Sequence, residues 1–401
     1  MFQLTYLDLS GNFITEIDEG SFEPLQQLET LIFGEHNYIN STVIDAISTL
    51  KSLKTLDLSR ADGIFEVPME LFDTLTHLEV LKLSGCSVST LEPGTFAALK
   101  NLKQLDLRVN LIQNISAYAF DGLSELTRLS LAGNYIRNVD KDQWVGLDSL
   151  QEIDLGWNEI KELPADAFSA LAEKLEILNL RHNPLKTIPS TGLKNLRSLF
   201  LSECPLITIE PEQLKDYTQL EALDVSKCNL TRLEPDTFVS QTHSLKQLHL
   251  QRNLLRTIDP KIQQLDVSGN PFICDSETAK FIFIIEDRYK NAAKEGKQFA
   301  ISNANDTICD RPYTLRHRPL LDVDTDELQP YDEKLDTTTV PPTTTPEAKS
   351  TTEEVTTPFT LVGDKKRKIA GEEEKRTKEK ISKMEDGMVE IELDSNTPSK
   401  K

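Results

Sequence analysis

The stretch LTYLDLSGN, Leu4 to Asn12, returns along most of the chain. It reappears as LKQLDLRVN from Leu102, LTRLSLAGN from Leu126, LQEIDLGWN from Leu150, LEILNLRHN from Leu175 and LKQLHLQRN from Leu245. Weaker copies begin at Leu28, Leu53, Leu78, Leu196, Leu220 and Ile262, twelve copies in all, mostly 24 or 25 residues apart with a short one before the last. A fixed period of this length constrains the fold more tightly than any local propensity. Each unit is too small to bury its own apolar face and must stack on its neighbours.

The letters have physical roles. Motif leucines one, four and six point into the core, and residues three, five and seven face outward, as in a short strand. The ninth residue turns the chain, and a buried asparagine there can bond the backbone of its own turn and the next. Asn12, Asn110, Asn134, Asn158, Asn183, Asn253 and Asn270 hold that position, and Cys86, Cys204 and Cys228 replace it in three copies. An aromatic residue recurs about eighteen residues after the first leucine, at Phe22, Phe96, Phe120, Trp144, Phe168 and Phe238, with Phe72 shifted by one. These rings should stack as a convex spine, so Trp144 reads as core. The pattern LxxLxLxxN resembles the leucine-rich repeat over Leu4 to Asn270. The resemblance implies an α/β solenoid, a horseshoe with a parallel concave sheet. The copies at Leu28, Leu53 and Leu78 carry His36, Ala61 and Cys86 at the ninth position, so irregular convex structure is expected there.

Five cysteines is an odd number, so one at least cannot pair within the chain. Cys86, Cys204 and Cys228 are expected as buried reduced thiols. Cys204 and Cys228 lie in neighbouring copies and could in principle approach each other. Past the last copy, NPFICDSETAKFIFIIEDRYKNAAKEGKQF leads to CDRPYTLRHRPLLDV, with Phe281, Ile284, Ile285 and Arg288 at helical spacing and Asp275 or Ser276 as N-cap candidates. This block resembles the C-terminal cap of extracellular leucine-rich-repeat proteins, the group of Toll receptors, Slit and chaoptin-like insect proteins. That cap has four cysteines, joined first to third and second to fourth. Asn270, Pro271 and Cys274 match its opening, and Cys309, Pro312 and Leu315 match the region of its third cysteine. Ser276 stands at the second position and no cysteine follows Cys309. The resemblance thus implies a cap with one disulfide, Cys274–Cys309, and an oxidising compartment.

The expected organisation is repeats over 1–270, cap over 271–330, a Thr/Pro-rich stalk over 331–360 suited to O-glycosylation, and a charged, disordered or weakly helical tail over 361–401. The run Lys365-Lys366-Arg367-Lys368 reads as part of that solvated tail rather than as a nuclear signal. Sequons at Asn40, Asn114, Asn229 and Asn305 permit N-glycosylation, although about three would arise by chance in such a composition. No stretch is long and apolar enough for a membrane span. No signal peptide is visible, and the first copy begins at Leu4 without a cap. Both features predict a chain whose native start lies upstream.

The formal charge of −21 argues against phosphate-backbone binding, and no nucleic-acid partner is expected. No catalytic motif, zinc spacing or cofactor signature is present. The expectation is a non-enzymatic, extracellular module, secreted or cell-surface associated, without cofactor or metal, that binds a protein ligand or receptor on its concave face. A matrix structural component and an intracellular scaffold are the alternatives, and a homodimer is left open. The expected contact cluster is Trp157, Ile177, Arg181, His182 and Phe200, read as exposed, because aromatic and arginine residues anchor interfaces. Aspartate at motif position five is discounted as solvation.

Overall fold

The computed structural model describes residues 3–234, 236–256, 265–276, 278–279, 282–283, 301–302 and 306–332. The chain divides into two units, Met1–Thr339 and Val340–Lys401, and every described residue lies in the first. The stalk, the tail, Asn305 and the helical face of Phe281, Ile284, Ile285 and Arg288 lie outside the described residues.

Each copy contributes residues three to five of its motif to one parallel sheet of 13 strands, from Tyr6–Asp8 through Ala222–Asp224 to Leu265–Asp266, with Ile301–Ser302 of the cap added last. Neighbouring strands pair in register, position three on three and five on five, as in Glu152–Ile177–Ser198 and Asp154–Asn179–Phe200. The short strands, joined in sequence order, stack a continuous core of leucines. Opposite the sheet, Phe72, Phe96, Phe120, Trp144 and Phe168 stack with centroids 5.6–6.1 Å apart. Beyond Phe168 the ring column gives way to Tyr217, fully buried, whose hydroxyl meets Thr191 and the Pro189 carbonyl.

Trp144 is buried at 1% exposure, and its indole N–H has no hydrogen-bond partner among the described residues. Trp144→Phe would continue the column and remove that unpaired donor. The expected result in urea unfolding is a change within about 1 kcal/mol, against a loss of about 3–5 kcal/mol for Trp144→Ala.

The ninth-position ladder explains the turn. Asn134 Nδ2 donates to Leu131 O at 2.9 Å in its own repeat and to Leu107 O at 3.0 Å in the preceding one, while its Oδ1 accepts the Ile112 N–H. Asn110, Asn158, Asn183, Asn253 and Asn270 repeat this pattern. Asn12, at the edge, is exposed and bonds only its own turn. Cys86, Cys204 and Cys228 are buried and free, and each thiol reaches a carbonyl of the preceding repeat. Burial pushes all three thiols up to about 12, so they stay protonated.

The second repeat corrects one reading. His36 is not its ladder residue; Asn37 is, fully buried and bonded to Leu9 O, Phe33 O and the Ile14 N–H. One extra residue precedes it. The convex side of this repeat carries the helix Ser41–Ser48, capped by Asn40, whose Oδ1 accepts the Val43 N–H.

The eighth residue of the motif is left-handed in repeat after repeat, as at Arg60, Val109, Trp157, His182, Glu203, Lys227 and Arg252, with φ from 51° to 61°. Aspartate at position five also has a structural duty rather than mere solvation. The carboxylates of Asp8, Asp57, Asp106, Asp154 and Asp224 accept the N–H two residues on, which the short strand leaves unpaired.

In the cap, Phe272–Ile273 pairs in parallel with Cys309–Arg311, and the disulfide Cys274–Cys309 joins the two segments at a Cα separation of 5.7 Å. Asp275 Oδ1 accepts the Thr278 N–H, the N-cap expected of it. Phe272, Leu315, Leu320 and Val323 are buried behind the bond and close the core. Ser276 N donates to Gln329 O, so the chain returns beside the residue that stands in place of the second cysteine.

Candidate functional site

The outward face of the sheet holds the largest set of side chains that the core does not use. Motif position two runs along its leading edge as a ladder of alternating charge. Glu29, Lys54, Glu79 and Lys103 come first, then neutral Thr127 and Gln151, then Glu176, Arg197, Glu221 and Lys246. Lys54 meets Glu29 at 2.9 Å, Lys103 meets Glu79 at 2.7 Å, and Arg197 meets both Glu176 at 3.5 Å and Glu221 at 2.7 Å. Such pairs neutralise one another along the edge.

Four of the five expected contact residues, Trp157, Arg181, His182 and Phe200, are linked by contacts, while Ile177 pairs only along the sheet. Trp157, Ile177 and Phe200 are half-buried, not exposed. Trp157 and His182 are eighth-position residues of adjacent repeats. The Trp157 N–H donates to Arg181 O and the His182 N–H to Ser202 O, so the turns run side by side. Their rings stack with centroids 3.4 Å apart and planes 19° from parallel. His182 Nε2 lies 3.0 Å from Glu203 Oε2, and Glu203 Oε1 lies 2.7 Å from Lys227 Nζ. Burial holds the His182 imidazole below its ordinary value, against the pull of Glu203.

Arg181 covers the strand end beside this row. Its guanidinium carbon sits 5.7 Å from the Phe200 ring centre and its Nε 3.3 Å from Asn179 Oδ1. The stem crosses Gly156, where any Cβ would approach Arg181 Cγ to 3.0 Å. A side chain at Gly156 would push the Arg181 stem aside by a few tenths of an ångström. Asp154, on the strand before, has its carboxyl raised by burial, with Arg181 and Arg108 opposing the shift. Ile177 stands one register step away, opposite Glu152 and Ser198. The result is a ringed apolar centre with a fixed guanidinium, a chemistry suited to a protein surface. Glu203 and Lys227 extend the cluster and were not among the expected residues. Their shared eighth-position register with Trp157 and His182 was the available signal.

Of the sequons, Asn114 is exposed on a convex strand and Asn229 is exposed beside Cys228. Asn40 is half-buried, with its carboxamide engaged by Val43 and Thr15. Among the described residues, no group of three or more His, Cys, Asp and Glu could hold a metal ion, and no helix is long and apolar enough to cross a membrane.

A model of the leucine rich repeat matches residues 2–62, 51–112, 100–160, 154–206 and 218–272. Human lumican is 28% identical over 269 residues, covering 66% of this chain and 62% of lumican. Tsukushi of Gallus gallus is 32% identical over 109 residues, 27% of this chain and 29% of Tsukushi. The solved TLR13–ssRNA13 complex is similar with a TM-score of 0.64 and 27% identity, covering 81% of this chain and 50% of that one. The chain spans less than two thirds of the length of each of these proteins.

Proposed function

The chain belongs to the leucine-rich repeat family, and from that premise we propose that it is a non-enzymatic recognition protein of the extracellular space that takes a protein ligand on its concave face. The observation that carries this reading is the cluster around Trp157. Five side chains from adjacent repeats are held against one another outside the leucine core. A rigid platform loses little entropy on binding. The disulfide of the cap supports an oxidising compartment. The TLR13 structure carries single-stranded RNA. For this chain, a net charge of −21 and a row of aspartates at position five favour protein over phosphate.

The test is a binding screen of the wild-type chain against arrayed extracellular proteins, repeated with Trp157→Ala/Phe200→Ala. A saturable protein ligand is expected, weakened about a hundredfold by the double variant, as for two central anchors. A ligand bound equally by both proteins would reject the site. Binding of single-stranded RNA with no protein ligand would reject the class of partner.

A further inference from the structure

The ninth to eleventh repeats share an apolar flank with a sequon at its centre. After each ladder residue, burial alternates from one residue to the next. Leu206, Leu230 and Leu255 are buried, so Pro205 and Ile207, Asn229 and Thr231, and Leu254 and Arg256 face outward. Hydrogen bonds hold these segments side by side. The Asn229 N–H donates to Leu206 O at 2.9 Å, the Thr231 N–H to Ile207 O at 3.3 Å and the Leu254 N–H to Leu230 O at 2.8 Å. Asn229 is thereby set between Pro205 and Leu254, and Thr231 beside Ile207.

The surroundings of the sequon are apolar. The first residue after the ladder is Pro184, Pro205, Asn229, Leu254 and Pro271 in five successive repeats, and Asn229 is the one polar member of that row. Ile207 is 56% exposed and Leu254 50% exposed. Two branched aliphatic side chains in water on either side of one asparagine form a patch rather than a scatter, and a patch calls for a cover.

The other described sequons lack this setting. Asn40 commits its carboxamide to Thr15 and Val43. Asn114 pairs with Thr90 on one side, and Asn138 holds the same motif position in the next repeat, so its neighbours are polar. Among the described residues, the Asn229 carboxamide and the Thr231 hydroxyl have no hydrogen-bond partner, and both residues are exposed. The two groups that an N-x-T sequence must offer are therefore open.

We propose that Asn229 carries an N-linked glycan whose inner N-acetylglucosamine lies on the flank of Pro205, Ile207 and Leu254. The transfer forms a bond from Asn229 Nδ2 to the anomeric carbon of the sugar. It breaks that carbon's bond to the diphosphate of a lipid-linked oligosaccharide, and one amide proton leaves with the lipid diphosphate. The C–H face of the pyranose ring packs on the aliphatic side chains and takes from water what the protein alone leaves exposed. The sugar, and not a protein partner, is the occupant of this flank. The proposal rests on the extracellular part of the proposed function and is independent of the Trp157 cluster.

The test secretes the full chain from animal cells behind an added leader, so the compartment is imposed. Glycopeptide mass spectrometry reads occupancy, and hydroxyl-radical footprinting on the same instrument reads side-chain exposure. Asn229 should be occupied. Asn229→Gln should raise oxidation of Ile207 and Leu254 about twofold, as for a sugar that covers half of each side chain. Val239, 60% exposed on the helical turn Val239–Gln241 of the same repeat, should not change. Asn114→Gln should leave Ile207 and Leu254 as they are. So should Trp157→Ala/Phe200→Ala, which separates failure here from failure of the concave site. If Asn229→Gln is not secreted, enzymatic removal of the glycan from the folded wild type must give the same rise.

A bare Asn229 in the secreted chain would overturn the proposal. So would an occupied Asn229 whose loss leaves Ile207 and Leu254 oxidised as before. Protection that survives Asn229→Gln and grows with protein concentration would also overturn it, and would make a second copy of the chain the occupant.

Discussion

Asn134→Ala should cost about 4 kcal/mol, a large share of the stability of any single domain. The substitution leaves the buried Ile112 N–H without a side-chain partner and removes one of two side-chain bonds to each of the Leu107 and Leu131 carbonyls, which keep Asn110 and Asn158. The orphaned N–H costs about 1–3 kcal/mol, and each lost bond to a carbonyl adds about 1 kcal/mol. Asn12→Ala should cost little, because Asn12 is exposed at the edge and its partners can turn to water. Asn134→Cys should fall between them. Cys204 and Cys228 show that a thiol keeps the bond to the preceding repeat, at 3.4 Å and 3.3 Å. Urea unfolding would rank the three. Hydrogen exchange at Ile112 and Leu131 would show whether the damage stays local, as expected for an array whose repeats contact only their neighbours. Equal losses for alanine at positions 12 and 134 would mean the ladder does not hold the turns together.

Removing the cap disulfide is the second large effect. Cys274 and Cys309 are 35 residues apart in sequence, and closing such a loop contributes about 4 kcal/mol in the chain-entropy model. Cys274→Ala/Cys309→Ala should therefore free the last strands, Leu265–Asp266, Phe272–Ile273 and Cys309–Arg311, while the strands near Trp144 keep their protection. Exchange measured by mass spectrometry would show the gradient. The same instrument, on protein alkylated while denatured but unreduced, should find Cys274 joined to Cys309, with Cys86, Cys204 and Cys228 alkylated. Five alkylated cysteines would remove the argument for an oxidising compartment along with the bond.

The repeat was legible because its period repeats one physical requirement, a buried leucine triad, across the array. The ring spine followed from the same periodicity between Phe72 and Phe168, while Phe22 and Phe238, expected in it, stack on no other ring among the described residues. The shift of the ladder to Asn37 was not legible, because an extra residue in a polar turn leaves the leucines in phase and only hydrogen bonds distinguish His36 from Asn37. The contact cluster was partly legible. Ile177 and Phe200 lie on strands, where alternation assigns a face. Trp157 and His182 lie beyond the strand in left-handed turns, where alternation no longer applies, and they turn toward each other rather than into open water. The role of position-five aspartate was hidden for a similar reason. A carboxylate that caps a backbone N–H and one that is merely hydrated are the same letter.

The alternating ladder at motif position two also marks which changes of repeat number would set like charges side by side. Unequal crossing-over removes whole repeats. Loss of the repeat carrying Lys54 would set Glu29 beside Glu79, and loss of the one carrying Arg197 would set Glu176 beside Glu221. Loss of two adjacent repeats restores the alternation. At the centre, where neutral Thr127 stands beside neutral Gln151, a single repeat can vanish with no clash of sign. Removing repeats in pairs thus keeps the signs alternating within each flank, while the neutral middle admits single steps without a like-charge contact.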